Sequence, residues 1–248
     1  MPVHIKASKG DVAGNVIAVG DPGRVDLLTP LLQDARVVNT HRGLKVVTGR
    51  YRDTWITLAT HGIGAPSAAI VFEELHQLGA RRIVRLGTTG GIRRDTRIGD
   101  VIVATGAAYT MGGCGLGQYM PGICAPTSPD PVLTTRIMMM MEESGIQYKQ
   151  GPVFSSDAFY AESPDFAVKM EHYGLIAVEM EAAALFALGW MKGVQTACVL
   201  VVSDVLHGEE AFKKYLTTEE LAALFIKIGR VLMEVYSRYH AVDGVIVH

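Results

Sequence analysis

Cysteine is scarce in this 248-residue chain: Cys114, Cys124 and Cys198 are the only three, and no Cys-x-x-Cys spacing occurs. That count indicates neither a zinc site nor a secreted disulfide framework, so free thiols are expected, with Cys114 and Cys124 flanking a Gly-rich loop. His-Glu-x-x-His is absent, the eight histidines are scattered, and no metal is expected. An excess of one charge is lacking too. The formal net charge of −2 gives no electrostatic case for a nucleic acid or membrane partner. No apolar run is long enough to span a bilayer, and no basic segment followed by an apolar one opens the chain, so a soluble, cytoplasmic protein is expected. Pro-rich linkers, repeats and low-complexity tracts are also missing, which leaves one domain over 1–248. The dinucleotide pattern GxGxxG follows no predicted strand, and GxxxxGK[ST] is absent, so a nucleotide cofactor is disfavoured.

What is present is an ordinary globular composition, 49% apolar and 19% charged, able to bury one sizeable core. "NVIAVG" (15–20) reads as a strand turning at Gly-Asp-Pro-Gly, and "RVDLLTPLL" as a helix. Residues 44–62 read as a hairpin, 64–80 as a helix opened by Pro66 and ended at Gly79, and 82–91 as a strand entering a Gly-rich loop. Strands are predicted near 100–108, 151–156 and 195–204. The Met138–Met141 run reads as core filling in a helix opened by Ser128-Pro129. A final helix starts at Thr217, whose pairing with Glu220 has the capping-box pattern. The alternation predicts an α/β domain with a covered central sheet, mixed because of the hairpin. Ligands of such sheets sit where strands run out into loops.

Four strand ends carry polar residues among glycines. In "VGDPGRV" (19–25) the turn exposes backbone N–H groups, and Arg24 adds a planar donor fork suited to phosphate. In "RLGTTGG" (85–91) Arg85 is embedded in an apolar strand and requires an anion, either a protein carboxylate or a ligand oxyanion; Thr88 would complete such a site. In "SSDAFY" (155–160) Phe159 is a stacking platform or simple core. In "VVSD" Asp204 ends an apolar strand, as a plain turn residue or as an acid whose pKa partial burial raises. A further stretch, "LIAVEMEAAALF" (175–186), sets Glu179 and Glu181 around Met180 where a strand passes into a helix. The helix dipole favours an anion at Glu181, and a carboxylate also matches the paired donors of a vicinal diol.

Together "GDPGR", "HRG", "RLGTTGG", "FSSDAFY", "VEMEAAALF" and "VVSD", in this order, resemble the hexameric branch of the purine nucleoside phosphorylase and uridine phosphorylase superfamily. The resemblance implies a single-domain, three-layer α/β/α phosphorylase fold in a homohexamer, a trimer of dimers with shared sites. It implies a phosphate site of Gly20, Arg24, Arg85 and Thr88, joined by Arg42 of a neighbouring subunit. Met180 and Glu181 would hold the ribose, Glu179 would lie near ribose and base, and His4 of the neighbour would approach the 5′ end. Phe159 would pack on the base and Asp204 would face purine N7 as the acid. The implied reaction is reversible phosphorolysis of purine (deoxy)ribonucleosides, with phosphate as co-substrate and no cofactor; 5′-methylthioadenosine phosphorolysis is the alternative.

Two departures stand out. Uridine phosphorylases read uracil with a Gln-x-Arg motif shortly after the aromatic residue, where this chain has Ala161-Glu162-Ser163. The purine enzymes often support the acid with an arginine, where "VLHGEEAFKKY" offers only His207, Lys213 and Lys214. The loop 111–124 has no assigned role.

Overall fold

The computed structural model describes residues 2–163, 165–208 and 215–239. The chain begins β1 (Asn15–Val19), α1 (Pro22–Leu28), β2 (Gln33–Asn39), β3 (Val46–Tyr51), β4 (Thr54–Thr60), α2 (Ala65–Leu78) and β5 (Arg82–Gly91). It continues through β6 (Val101–Tyr109), α3 (Leu116–Tyr119), α4 (Pro131–Glu143), β7 (Lys149–Ser155) and α5 (Phe166–His172). β8 (Ala177–Glu179), α6 (Ala182–Lys192), β9 (Gln195–Val205) and α7 (Thr218–Ser237) follow.

The described strands form one mixed sheet in the order β2-β3-β4-β1-β5-β8-β7-β6-β9. An added pairing of β5 with β9 closes β5, β8, β7, β6 and β9 on themselves, so the mixed sheet curls at one end. Strand alternation explains the fully apolar runs. Val16 and Ala18 of β1 enter the core shared with α2 and α6, while Ile17 and Val19 enter the core shared with α1, α4 and α7. Cys198, Leu200 and Val202 of β9 likewise face the first core, and Ala197, Val199 and Val201 the second.

Local chemistry sets the helix starts. Thr217 makes the expected capping box with Glu220. α4 begins at Pro131 rather than at Ser128-Pro129, because the Asp130 side chain accepts the Leu133 N–H at 2.7 Å. Met140 and Met141 are buried beneath it, as core filling requires, while Met139 is exposed. The predicted helix over "RVDLLTPLL" is shorter, ending at Leu28 before a 3-10 turn at Thr29–Leu31. The predicted Gly-rich loop after Arg85 is itself strand, since Gly90 and Gly91 pair with β8 on one side and β9 on the other.

All three cysteines are free, Cys114 and Cys198 buried and Cys124 exposed. Cys114 anchors its loop: its N–H donates to Asp157 Oδ2 at 2.9 Å. Burial first, then the Asp157 charge, pushes its thiol up to about 12, which makes it unreactive. No helix among the described residues is long and apolar enough to cross a membrane.

Candidate active site

Two broad concavities mark the described surface. One, of about 650 Å³ between α4 and α7, is lined in part by charges tied to each other, Arg52 and Arg238 to Glu234 and Arg238 to Glu143, with Lys227 and Arg230 beside them. The other, of about 580 Å³, lies where β1, β5, β8 and β9 run out, and gathers most of the residues singled out above. Gly20, Arg24, Arg85, Thr88, Phe159, Glu179, Met180, Glu181 and Asp204 all line it.

At its floor Arg85 is 4% exposed and finds protein carboxylates. Its Nε donates to Glu179 Oε2 at 3.2 Å and its Nη2 donates to Glu181 Oε2. The two carboxylates have different surroundings. Glu179 Oε2 also accepts the N–H groups of Glu181 and Ala182 at 2.8 and 2.9 Å, and its Oε1 accepts the Ser155 hydroxyl. Ser155 Oγ in turn accepts the Ala183 N–H at 2.9 Å. Glu179 and Ser155 therefore satisfy the open N–H groups at the start of α6. Glu181 occupies the N-cap position without capping. Its Oε1 instead accepts the Gly64 N–H at 2.6 Å, and the residue lines the cavity. Burial holds the Glu181 carboxyl above the usual range, with Arg85 opposing.

Arg85 folds back over its own strand because residue 87 is glycine: a Cβ there would lie 1.9 Å from Arg85 Nη1. A Gly87→Ala variant should displace the guanidinium and, since the resemblance implies that Arg85 holds phosphate, raise the apparent KM for phosphate by about 10²-fold, the scale of a misplaced reactant. Steady-state phosphate titration checks this; an unaltered KM would show that Arg85 does not meet phosphate.

Arg24 lies beside this cluster, its Nη2 3.5 Å from Thr88 Oγ1 and its guanidinium stacked 4.5 Å from the Phe225 ring centre. Burial first and the Arg85 charge second press its pKa down. An anion seated among Arg24, Arg85, Thr88 and Gly20 relieves that repulsion.

Asp204 is positioned by a β-bulge. Thr89 pairs with Val202 but Gly90 pairs with Asp204, so Ser203 is the extra residue and the alternation of faces resets there. Ser203 Oγ donates to Asp204 Oδ1 at 2.7 Å. Burial raises the Asp204 carboxyl above its ordinary value, with the Ser203 bond opposing. Gly90 leaves the room needed opposite it, since a Cβ would stand 2.3 Å from Leu206 Cδ1 and 3.5 Å from Asp204 Oδ2. His207 does not support the acid: its Nε2 faces the Thr96 carbonyl at 3.2 Å. Lys213 and Lys214 lie outside the described residues.

Phe159 is 63% exposed, on the loop after β7, which removes the simple-core reading. Tyr160 packs edge-on against it at 5.1 Å. His4 and Arg42 do not line the cavity of their own chain. His4 stands beside His41, whose Nδ1 lies 3.1 Å from the His4 carbonyl, and Arg42 follows His41 in the chain. Glu74 collects the N–H groups of Val3, His4 and Ile5 at 2.8, 3.0 and 2.6 Å and pairs with His4 Nδ1 at 2.8 Å. Burial pushes Glu74 up, but these donors outweigh it and hold the carboxyl at about 2. Arg42 is exposed in a left-handed conformation, φ +58°, a strained backbone for a non-glycine residue.

Sequence reasoning missed Ser155, Gly64 and Ser203 as partners, although Ser155 and Ser203 lie inside quoted motifs. It named Glu162 only as a departure, yet Glu162 lines the cavity.

Comparison with known proteins agrees with this geometry. The family model described as the phosphorylase superfamily matches residues 15–229. A guanosine phosphorylase of Halorubrum lacusprofundi is 37% identical over 203 residues, 82% of this chain and 83% of that protein. A DeoD-type purine nucleoside phosphorylase of an Exiguobacterium species is 35% identical over 237 residues, 94% of this chain and 97% of that protein. Among solved structures, a uridine phosphorylase from Vibrio fischeri ES114 superposes with a TM-score of 0.84 at 27% identity, covering 95% of this chain and 97% of that one. With its sheet, its cavity and these relatives in agreement, the chain belongs to the phosphorylase superfamily.

Proposed function

We propose that this protein is a purine nucleoside phosphorylase, cleaving purine (deoxy)ribonucleosides with inorganic phosphate to free base and pentose 1-phosphate. The observation that carries the reading is one cavity lined by two arginines, a glutamate bonded to one of them, and a carboxylic acid raised by burial.

Each part has a task. Cleavage of the N-glycosidic bond leaves positive charge on the sugar ring and negative charge on the departing base. Arg24, Arg85, Thr88 and the Gly20 turn hold phosphate against the anomeric carbon, where its charge offsets the oxocarbenium. Glu181 accepts from the 2′- and 3′-hydroxyls and Met180 packs on the sugar. Asp204 protonates or hydrogen-bonds N7, stabilising the leaving group. Phe159 covers the base. Phosphate is the co-substrate, and no other cofactor has a step here.

Charge bookkeeping supports a shared site. Within the floor cluster Arg24 and Arg85 balance Glu179 and Glu181, so an incoming phosphate leaves it net negative. A further cation is required, and exposed Arg42 with its neighbour His4 would supply it, together with a 5′ contact, to an adjoining subunit. This supports a site shared between neighbouring subunits, as in the homohexamer that the resemblance implies.

Uridine phosphorylase is the second reading, favoured by the superposition with the Vibrio fischeri structure. Against it stand Ala161-Glu162-Ser163 in place of Gln-x-Arg, and Asp204, which has no N7 to meet on a pyrimidine. The deciding experiment is chromatographic: inosine, adenosine, guanosine, 5′-methylthioadenosine and uridine are each incubated with and without phosphate. Phosphate-dependent release of purine bases is expected. Release of uracil as the best product would replace the reading, and preference for methylthioadenosine would assign an apolar 5′ pocket.

A further inference from the structure

None of residues 111–124 lines the cavity, yet this Gly-rich loop after β6 is bonded to the loop after β7 that carries Phe159. The β7 loop is held along its backbone. The Ser156 N–H donates to the Glu179 carbonyl at 2.8 Å, and the Ala158 N–H donates to Ser156 Oγ at 3.3 Å. The Ala161 N–H then closes a turn on the Ala158 carbonyl at 3.1 Å. Phe159 and Tyr160 occupy the two middle positions of that turn, and both side chains are exposed. Their placement therefore depends on how firmly the backbone before them is fixed.

Asp157 ties that backbone to the Gly-rich loop. Its carboxylate accepts the Cys114 N–H, at 2.9 Å on Oδ2 and 3.2 Å on Oδ1. The Cys114 thiol adds a weak contact of 3.7 Å to the Ser155 carbonyl. A bond to an ionised acceptor is about twice as strong as one between neutral groups. The donor's side is anchored, because Cys114 and Leu116 are both buried and the Gly113 N–H donates to the Thr110 carbonyl at 2.7 Å. The neighbouring residue must be glycine: a Cβ on Gly113 would stand 2.4 Å from Asp157 Oδ2.

We infer that Asp157 is a positioning residue for the base, with the Gly-rich loop as a strut that fixes the turn presenting Phe159 to the cavity. The inference rests on the phosphorylase reading above, in which Phe159 covers the base, and assigns that reading a residue outside the cavity. Asp157 bonds to none of Gly20, Arg24, Arg85 and Thr88, so its loss falls on the nucleoside and spares phosphate. A general loss of structure would not separate the two substrates.

The test measures KM for inosine and KM for phosphate in the parent, Asp157→Ala and Asp157→Asn. Amide hydrogen exchange over residues 155–161 is followed by mass spectrometry on the same proteins. Asp157→Ala should raise KM for inosine by about 10- to 100-fold, the worth of a hydrogen bond to a charged group, and leave KM for phosphate unaltered. Exchange in the turn should quicken with it. Asp157→Asn keeps an acceptor oxygen and should recover most of both effects. Gly113→Ala crowds the same carboxylate from the other loop, so it should repeat the Asp157→Ala result and replaces that variant if it does not fold. An unchanged KM for inosine, an equal rise in both KM values, or an asparagine variant as impaired as alanine would each overturn the assignment. If the parent cleaves no purine nucleoside, the phosphorylase reading falls and takes this role with it. If the parent cleaves inosine and KM for inosine does not move in the variants, this inference alone falls.

Discussion

An Asp204→Asn variant should lose about 10²–10⁴-fold in kcat on purine nucleosides, the usual worth of a general acid, yet melt no lower than the parent. The two halves have one cause. Burial raises the Asp204 pKa, so the folded protein keeps that proton to a higher pH than the unfolded chain does. Between the unfolded value of about 3.9 and the raised folded value, the folded state binds more protons, and stability falls as pH rises. Above that window the ionised, buried carboxylate remains a cost that asparagine does not carry. The melting temperatures should therefore coincide near the acid end and separate in favour of Asp204→Asn at neutral pH. In the parent, kcat/KM should fall as pH rises through the raised pKa, and the variant should lack that limb. Calorimetry across pH beside steady-state kinetics reads both. A variant that loses activity and stability together would make Asp204 a structural residue.

Arg85→Ala should fail in the opposite manner, losing stability and activity at once. It leaves Glu179 and Glu181, 4% and 5% exposed, facing each other without their cation. Breaking a buried pair in this way costs about 3–5 kcal/mol, and here one change breaks two contacts. The loss should be full at neutral pH and shrink as pH falls, because burial already holds the Glu181 carboxyl above its ordinary value and removal of the opposing Arg85 charge raises it further, so its protonation removes an unpaired buried charge. Where the variant is folded, its apparent KM for phosphate should rise. Lysine should restore part of the stability but not the forked contact to both acids. An Arg85→Ala protein as stable as the parent at pH 7 would contradict the ion pairs described here.

These contrasts show what was legible in the sequence. The position of Asp204 at the end of an apolar strand was readable, because hydrophobic runs and their stops are local. Its direction was not, since the bulge at Ser203 exists only against β5, more than a hundred residues earlier. Arg85 announced a need for an anion without saying which, and its partners lie 94 and 96 residues away. The carboxylate of Glu181 at a helix start suggested a cap. The cap bonds go to Glu179 because its oxygens reach the first free N–H groups, releasing Glu181 toward Gly64 and the cavity. β2 escaped notice because five of its seven residues are exposed, so no apolar alternation marks them. The β5–β9 closure is a long-range pairing between two apolar strands, and neither strand names its neighbour.

Phosphorus NMR of inorganic phosphate incubated with guanosine and the purified protein distinguishes phosphate from water as the group that attacks the sugar. A new phosphomonoester signal from ribose 1-phosphate is expected, growing mole for mole with free guanine as the inorganic phosphate signal falls. Guanine released while the phosphate signal stays constant would mean that water attacks the sugar. Arg24, Arg85 and Thr88 would then serve structure rather than phosphorolysis.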